Sequence, residues 1–377
     1  MPKSLLVTFH ASHNHGSALQ AFATQKLLEQ EGYPSTILNF QMPSQKKYYS
    51  LYGGRKGMKI RQLAMIPIHF QRKSRQQKFI DFQNNYFNMT KEYHSYDELR
   101  AADFSQYNVL VSGADQIWSN TIPEFVNSDV DFKGIYFGDF VSDIKKIAFA
   151  SSTGEADIDY LKSQLTNLKQ YQHIAVREER GRKLLNQLLD YKCDVVLDPT
   201  LLLTRKEYNK WFDLENALVK EEYIFLYTLQ GVKSGRRWKI LLQNLYEKTG
   251  LRIIVVSPFF PIYGKNITNI NEAGPIEFLN LIYNAKIVLT DSFHGTAYSV
   301  NFRKNFFVYQ ADSSHDPRKK NLLNSFGLSN RIINKQESGL ILNADNIDYS
   351  NNNKLIEAEI ETSRNILKRY LKDISNE

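Results

Sequence analysis

The stretch from Lys286 to Thr296 constrains the fold more than any other part of the chain. A short apolar and β-branched run, Ile287–Leu289, ends abruptly in polar residues, and a segment that can begin a helix follows Gly295. This pattern predicts a strand that turns directly into a helix. In α/β proteins ligands bind at such carboxyl ends of strands, and helix N-termini bind anions. A purely structural interpretation stays open, in which Asp291 or Ser292 only caps the helix.

Short apolar runs alternate with helical segments along the whole chain, which indicates an α/β protein. The predicted strands lie at residues 4–9, 36–40, 109–112, 146–150, 173–176, 194–197, 223–228, 252–257, 287–289 and 305–308. The predicted helices lie at residues 17–31, 72–85, 160–170, 180–190, 238–249, 275–283 and 353–372. With 377 residues, the chain is predicted to form two Rossmann-like, doubly wound domains that face each other across a cleft.

The predicted domain limits follow the same pattern. Residues 1–205 form the N-terminal domain, and a charged connection at 204–222 leads to a C-terminal domain at 221–350. Residues 351–377 form a terminal helix that is long enough to pack back on the N-terminal domain.

A strongly basic insertion at residues 42–80 interrupts the N-terminal domain. The net charge of the chain is +8, and this window holds ten lysines and arginines without an aspartate or glutamate. Aromatic and aliphatic residues lie between the basic ones, which suits contact with an anionic membrane surface. A solvated insertion without a specific role is an equal alternative, and nucleic acid is the least expected partner. The basic residues are Lys46, Lys47, Arg55, Lys56, Lys59, Arg61, Arg72, Lys73, Arg75 and Lys78.

Several classes of function lack their usual sequence signals. The chain has neither a Gly-x-x-x-x-Gly-Lys-Ser/Thr loop nor a Gly-x-Gly-x-x-Gly turn after its first strand. His10, His13 and His15 alternate, but no cysteine or carboxylate near them in sequence completes a zinc site, so we expect neither a metal nor a cofactor. Cys193 is the only cysteine, no apolar run is long enough to span a bilayer, and the N-terminus lacks a signal peptide pattern. We therefore expect a cytoplasmic protein.

Polar clusters also follow the other predicted strands. The cluster after the third strand combines the carboxylate of Asp115, the amide of Gln116 and the ring of Trp118, which is what sugar recognition needs. Each cluster has a structural alternative, in which its residues cap helices, pack in the core or form ion pairs. The clusters are His10–Ser17, Ser112–Trp118, Ser151–Gly154, Arg177–Glu179 and Thr290–Gly295.

Taken in order, these segments resemble the polysaccharide pyruvyl transferase family. Ala114 stands where that family often has serine, and residues 311–318 follow its pattern loosely. The segments that carry the resemblance are Asn14–Ala21, Gly113–Trp118, Ala148–Ser152, Val176–Glu179, Leu197–Thr200, Asn284–Gly295, Arg318–Leu323, Gly327–Leu328 and Arg331.

The resemblance implies a glycosyltransferase-like (GT-B-like) fold and an enzyme that moves the pyruvyl group of phosphoenolpyruvate to sugar hydroxyls as a ketal. The implied acceptor is a cell-surface polysaccharide or its lipid-linked precursor. A lipid-linked acceptor would bring residues 46–78 to the inner face of the membrane.

Ketal formation needs a proton for the methylene carbon, a base for the sugar hydroxyl and cations for the anionic donor. His294 is the predicted proton donor because imidazole titrates near neutrality, and Asp115 is the predicted base. The predicted donor contacts are Arg177, Ser292, Gly295 and Arg318. The predicted acceptor contacts are Asn14, Gly16, Ser17, Gln116 and Trp118.

Two alternatives remain open at this point. A sugar-nucleotide-dependent glycosyltransferase could use the same fold, with diphosphate contacts in the C-terminal domain. A non-enzymatic protein could bind polysaccharide or another polyanion through the basic insertion.

Overall fold

The computed structural model describes residues 2–50, 69–122, 125, 132–229, 232–258, 261–310, 317–333 and 346–376. The chain divides into two compact units. Unit 1 comprises Met1–Pro67, Ile80–Leu202 and Glu359–Glu377, and unit 2 comprises Ile68–Phe79 and Leu203–Ala358. The stretch 204–222 lies wholly in unit 2, whereas the terminal helix is divided between the two units after Ala358.

Unit 1 is built on a parallel six-stranded sheet with the strand order β2-β1-β3-β4-β5-β6. Three of these strands, β1, β3 and β4, are almost continuously buried, which explains the apolar runs in their sequences. The strands are β1 (Ser4–Val7), β2 (Ser35–Ile37), β3 (Val109–Ser112), β4 (Lys145–Ser151), β5 (Tyr171–Val176) and β6 (Asp194–Val195).

The helices of unit 1 connect these strands. Asn14 caps the first helix, because its side chain accepts a hydrogen bond from the Gly16 N–H group. The helices are α1 (His15–Gln30), α2 (Pro43–Tyr48), α4 (Tyr96–Arg100), α5 (Ile158–Ser163), α6 (Leu165–Leu168), α7 (Glu179–Leu185) and α8 (Pro199–Leu202). Helix α3 (His69–Tyr86) begins in unit 2 and ends in unit 1.

Unit 2 has its own parallel six-stranded sheet, with the order β12-β11-β10-β7-β8-β9. Taken from its first strand to its last, this is the strand order of a dinucleotide-binding Rossmann fold. The strands are β7 (Tyr223–Tyr227), β8 (Arg252–Val256), β9 (Ile267–Asn269), β10 (Ile287–Thr290), β11 (Asn305–Tyr309) and β12 (Ile332–Ile333).

Helix α9 (Arg205–Phe212) lies in the stretch that was predicted to be the charged connection between the domains. Thr204 and Glu207 form a capping box at its start, a signal that was present in the sequence. The other helices of unit 2 are α10 (Val232–Thr249), α11 (Pro275–Asn284), α12 (Phe293–Asn301) and α13 (Arg318–Ser325).

The terminal helix α14 (Tyr349–Asn376) is longer than predicted. Its last turns contact residues of unit 1. The Tyr33 hydroxyl donates to the Leu371 carbonyl at 2.8 Å, and the Tyr370 hydroxyl donates to Asp194 at 2.6 Å.

In each unit the strand order reverses once. In unit 1 the reversal lies between β1 and β3, and in unit 2 it lies between β7 and β10. Connections leave such a pair of strands in opposite directions, so a crevice opens at their carboxyl ends and ligands bind there. Both predicted catalytic residues follow one of these strands, Asp115 after β3 and His294 after β10.

Candidate active site

The turn that follows β3 has an unusual backbone. Gly113 has φ +147°, and a Cβ atom placed on it would lie 1.9 Å from the Phe149 carbonyl oxygen, so only glycine fits. Asp115 adopts φ 72°, which is rare for a residue with a side chain. A carboxylate held in such a conformation at a crevice is typical of a functional position.

The Asp115 carboxylate is buried and held from three sides. The Ser17 hydroxyl of α1 donates to Oδ2 at 2.6 Å, and the Gln116 N–H group donates to Oδ1 at 2.8 Å. The Arg177 guanidinium lies 3.5 Å from Oδ1. Asp115 therefore has one orientation, which is what a general base requires.

Arg177 lies at the centre of a buried cluster of charges. Its side chain is 3% exposed and forms an ion pair of 2.5 Å with Asp198, and Glu178 lies 3.7 Å away. Burial lowers the pKa of Arg177, but the carboxylates of Asp198, Glu178 and Asp115 outweigh this effect and raise it above its ordinary value. Arg177 was predicted to bind the anionic donor, but three carboxylates of the protein already surround its guanidinium. Its geometry suits a group that positions Asp115.

The predicted acceptor residues fall into two groups. Asn14, Gly16, Ser17 and Gln116 all lie at the carboxyl edge of the sheet, and the first three form the start of α1. Trp118 lies elsewhere: it is fully buried, stacks on Phe137 at 5.1 Å and donates its N–H group to the Tyr136 carbonyl. Trp118 therefore packs in the core, where it is not accessible to an acceptor as predicted.

Gln20 is a buried residue of this edge that the sequence reasoning missed. Its amide nitrogen donates to Thr8 at 2.8 Å, and its amide oxygen accepts from the Ala114 N–H group at 3.1 Å. It thereby ties α1 to the ends of both β1 and β3. A glutamine between the apolar residues Leu19 and Ala21 was the signal that could have identified it.

In unit 2 the turn after β10 forms as predicted. Ser292 is the N-cap of α12, and its hydroxyl accepts from the Gly295 N–H group at 3.4 Å. A Cβ atom on Gly295 would lie 2.3 Å from the Thr290 hydroxyl oxygen, so this position needs glycine. The cap gives Ser292 a structural role. The N-terminus of α12 carries the positive end of the helix dipole, which suits an anion.

His294 and Arg318 both contact the aromatic ring of Phe293. The ring of Phe293 contacts the His294 imidazole edge to face at 5.2 Å, and the Arg318 guanidinium lies 5.6 Å from its centroid. His294 is mostly buried, as the second residue of α12. The structure thus brings His294, Ser292, Gly295 and Arg318 to one edge of unit 2.

Asp291 and Lys319 support this edge. Asp291 accepts from the Thr228 hydroxyl at 2.5 Å and from the Leu229 N–H group at 2.8 Å, which joins the ends of β10 and β7. The buried amine of Lys319 donates to the Asp291 carbonyl at 2.7 Å. Both residues therefore hold the turn in place, and neither had been predicted to be a site residue.

Among the described residues of the basic insertion, some basic side chains form ion pairs and others are exposed. Lys46 forms an ion pair with Glu92 at 2.7 Å, and Lys78 forms one with Glu277 at 2.6 Å. Lys73 is exposed, and the neighbouring Phe70 is 80% exposed. Arg55, Lys56, Lys59 and Arg61 lie outside the described residues.

Two features are absent from the described residues. No group of three or more His, Cys, Asp and Glu side chains among them is arranged to hold a metal ion. No helix in that part of the chain is both long and apolar enough to cross a bilayer.

Several solved structures have a similar fold. The UDP-N-acetylglucosamine 2-epimerase from Rickettsia bellii has a TM-score of 0.53 and 9% identity, covering 100% of this chain and 98% of its own. S. aureus MnaA with UDP has a TM-score of 0.53 and 12% identity, covering 100% of this chain and 97% of its own. The UDP-GlcNAc 2-epimerase from Methanocaldococcus jannaschii has a TM-score of 0.50 and 13% identity, covering 93% of this chain and 94% of its own. At this level of identity the similarity shows the fold alone, which is GT-B-like.

Sequence comparison is more specific. No curated protein matches the chain. A family model for polysaccharide pyruvyl transferases matches residues 14–313, which is well over half of the chain and includes both polar edges. The chain therefore belongs to the polysaccharide pyruvyl transferase family.

Proposed function

We propose that the protein transfers the pyruvyl group of phosphoenolpyruvate to two hydroxyls of a sugar and releases phosphate. The observation that carries this proposal is the turn after β10, where His294 lies at the N-terminus of α12 in a chain of this family. An imidazole beside a helix N-terminus offers both a proton and an anion site.

The reaction balances with two proton transfers. The methylene carbon of phosphoenolpyruvate takes up one proton and becomes a methyl group, which leaves the adjacent carbon electrophilic. The two sugar hydroxyls form C–O bonds to that carbon and lose their protons. The C–O bond to phosphate breaks, and the second proton leaves with the phosphate. In this scheme His294 delivers the proton to the methylene carbon, and the Ser292 turn with Gly295 and Arg318 binds the donor.

Asp115 has the geometry of the base that takes a proton from the sugar. Its carboxylate oxygens are oriented by Ser17, Gln116 and Arg177, so the position that accepts the proton does not shift during turnover. We assign Asn14, Gly16 and Gln116 to the acceptor sugar.

The test is release of phosphate from phosphoenolpyruvate in the presence of candidate glycan acceptors. His294→Ala should lower turnover at least 100-fold, which is the usual contribution of a positioned proton donor. The matched control is His94→Ala, because His94 is an exposed histidine in unit 1. Normal turnover by a folded His294→Ala protein would rule out the assignment.

The runner-up is a glycosyltransferase that uses a sugar nucleotide. It is favoured by the similar fold of MnaA, which was solved with UDP. Ligands raise the melting temperature of the folded state that binds them. We expect phosphoenolpyruvate to raise it and UDP to have no effect; the reverse result would favour the glycosyltransferase.

We further propose that the protein works in the cytoplasm and meets lipid-linked acceptors at the inner face of the membrane. Phe70 and Lys73 on α3 combine an exposed aromatic ring with an exposed cation, which suits an anionic lipid surface. The double variant Phe70→Ser, Lys73→Gln should bind anionic vesicles more weakly and keep its affinity for phosphoenolpyruvate. Equal vesicle binding by the wild type and the variant would exclude this role.

A further inference from the structure

The loop that joins β1 to α1 in unit 1 lines a small cavity. The volume of this cavity is about 10 Å³, which is close to what one water-sized group needs. Aromatic rings form part of its wall, and the rings of Phe9 and Tyr136 pack edge to face at 4.9 Å. The polar part of the wall consists of His10, Ser12, Gln41 and Gln45. The cavity therefore combines aromatic surface with several groups that form hydrogen bonds.

The Ser12 hydroxyl has no hydrogen-bond partner among the described residues. Ser12 is only 4% exposed, so bulk solvent does not replace the missing partner. In native proteins, buried hydroxyls usually bond to protein atoms or to an ordered water, and an exception calls for an explanation. A small polar group in the cavity would supply the bond that Ser12 lacks.

Gln41 and Gln45 each use only one end of the side-chain amide within the protein. The Gln41 amide nitrogen donates to the Ala11 carbonyl at 3.3 Å. The Gln45 amide oxygen accepts from the Tyr136 hydroxyl at 3.1 Å and from the Met42 N–H group at 3.2 Å. These bonds orient both amides, and the described residues do not use the Gln41 oxygen or the Gln45 nitrogen. One acceptor and one donor are therefore available to a ligand.

The described side chains around the cavity are all neutral. They include no lysine, arginine, aspartate or glutamate. Burial lowers the pKa of His10 below its ordinary value of 6.5, although its hydrogen bond to Asn39 opposes this effect, so the imidazole is uncharged at neutral pH. A wall without charge favours neither an anion nor a cation. A neutral hydroxyl group matches both the size and the polarity of the cavity, and aromatic rings beside a few polar groups are typical of sites for small ligands.

The loop that lines the cavity is attached at both ends to the turn that holds Asp115. At the start of the loop, the Thr8 hydroxyl donates to the Ala114 carbonyl at 3.4 Å. Just beyond its end, the Ser17 hydroxyl in the first turn of α1 donates to Asp115 at 2.6 Å. The cavity therefore belongs to the same carboxyl edge of the sheet as the candidate base.

We propose that this cavity binds one hydroxyl group of a neutral sugar, and that this sugar is the acceptor. The sugar hydroxyl bonds to Ser12 and to the available amide ends of Gln41 and Gln45, while the neighbouring aromatic rings exclude water. The hydroxyl held here is not one of the two that react, so the cavity determines which sugar is accepted. The identification of the sugar as the acceptor rests on the proposed function, whereas sugar binding by the cavity does not.

The test measures the binding of neutral glycosides to the full-length protein by calorimetry. The probes are the methyl glycosides of glucose, galactose, mannose and N-acetylglucosamine. We expect the wild type to bind at least one of them at millimolar concentration. Ser12→Ala removes one hydrogen bond and should weaken this binding about threefold to tenfold. Ser12→Val fills the cavity and should abolish it, and both variants should bind phosphoenolpyruvate like the wild type.

The matched control is Ser35→Ala. The Ser35 hydroxyl is also buried without a partner among the described residues, but Ser35 begins β2 at the opposite edge of the same sheet. This variant should bind the glycosides like the wild type. Ligand-free Ser12→Ala should melt no lower than the wild type, because no protein hydrogen bond is lost. A lower melting temperature of Ser12→Ala with unchanged glycoside binding would identify a site for structural water and overturn the inference.

The outcomes separate this inference from the proposed function. If the wild type binds a glycoside and both Ser12 variants bind it equally well, the cavity is not the sugar site and the proposed function is unaffected. If Ser12→Val loses the glycoside but the wild type does not bind phosphoenolpyruvate, the sugar site stands and the proposed function is wrong. If the wild type binds none of the neutral glycosides, the inference is wrong.

Discussion

At the scale of single residues, Ser17 and Arg177 both contact the carboxylate of Asp115. Ser17 is buried at the start of α1, and its only described side-chain bond is the one to Asp115 Oδ2. Arg177 reaches the other carboxylate oxygen from the end of β5. The Ser17 hydroxyl and the Arg177 guanidinium are therefore directed at Asp115 and not at solvent.

Ser17→Ala should therefore slow the chemical step without changing donor binding. A hydrogen bond to a carboxylate contributes about 1.5–3 kcal/mol, so kcat should fall about 10- to 100-fold while KM for phosphoenolpyruvate stays the same. Thr24→Ala is the control, because the Thr24 hydroxyl on the same helix donates to the Gln20 carbonyl and does not reach Asp115. Steady-state phosphate release measures both variants. An unchanged kcat for Ser17→Ala would show that the orientation of Asp115 does not limit turnover.

At the scale of elements, the ends of the central strands were predictable from sequence to within about two residues. Buried parallel strands are continuous apolar runs, and polar residues mark where each run leaves the core, as at Thr290 and Ser112. The edge strands β9 and β12 were missed, because neither lies in a buried apolar run that polar residues end.

The candidate site was only partly predictable, for a different physical reason. The turn residues Asp115, Ser292 and His294 are adjacent in sequence to the strands that position them. The partners of Arg177 are not, since Asp198 comes from a later connection. Helix α3 is the extreme case: it comes between strands of unit 1 in sequence, but its residues up to Phe79 belong to unit 2, and no local pattern encodes that choice.

The terminal helix gives a prediction at this scale. The Tyr370 hydroxyl donates to Asp194 at 2.6 Å and lies 3.1 Å from the Ile174 carbonyl, so it joins α14 to β5 and β6. Tyr370→Phe removes this bond from a buried position and should lower the free energy of unfolding by about 1–3 kcal/mol. Tyr263→Phe, at a tyrosine that is 72% exposed, should leave it unchanged. Urea unfolding measures both; equal stability of the two variants would mean that α14 is held by apolar packing alone.

At the scale of the whole molecule, both units enclose a lysine whose charge is costly in the folded state. Burial lowers the pKa of Lys146 in unit 1 and of Lys304 in unit 2, each to about 8. The Lys146 amine donates to the Gly138 carbonyl at 2.8 Å, and the Lys304 amine donates to the Tyr283 carbonyl at 2.9 Å. Asp139 partly offsets the effect at Lys146, whereas Arg205 adds to it at Lys304.

Stability should consequently rise with pH above neutrality. The ordinary lysine pKa is 10.5, so between about pH 8 and 10.5 the unfolded chain binds more protons than the folded chain, and the free energy of unfolding increases. Each lysine contributes on the order of 1 kcal/mol between about pH 7.5 and 9. Urea midpoints at these two pH values should differ in the wild type and differ less in Lys146→Met and Lys304→Met. A midpoint that does not move in the wild type would contradict the prediction, because burial of Cys193 raises its thiol pKa and gives the opposite slope only above about pH 9.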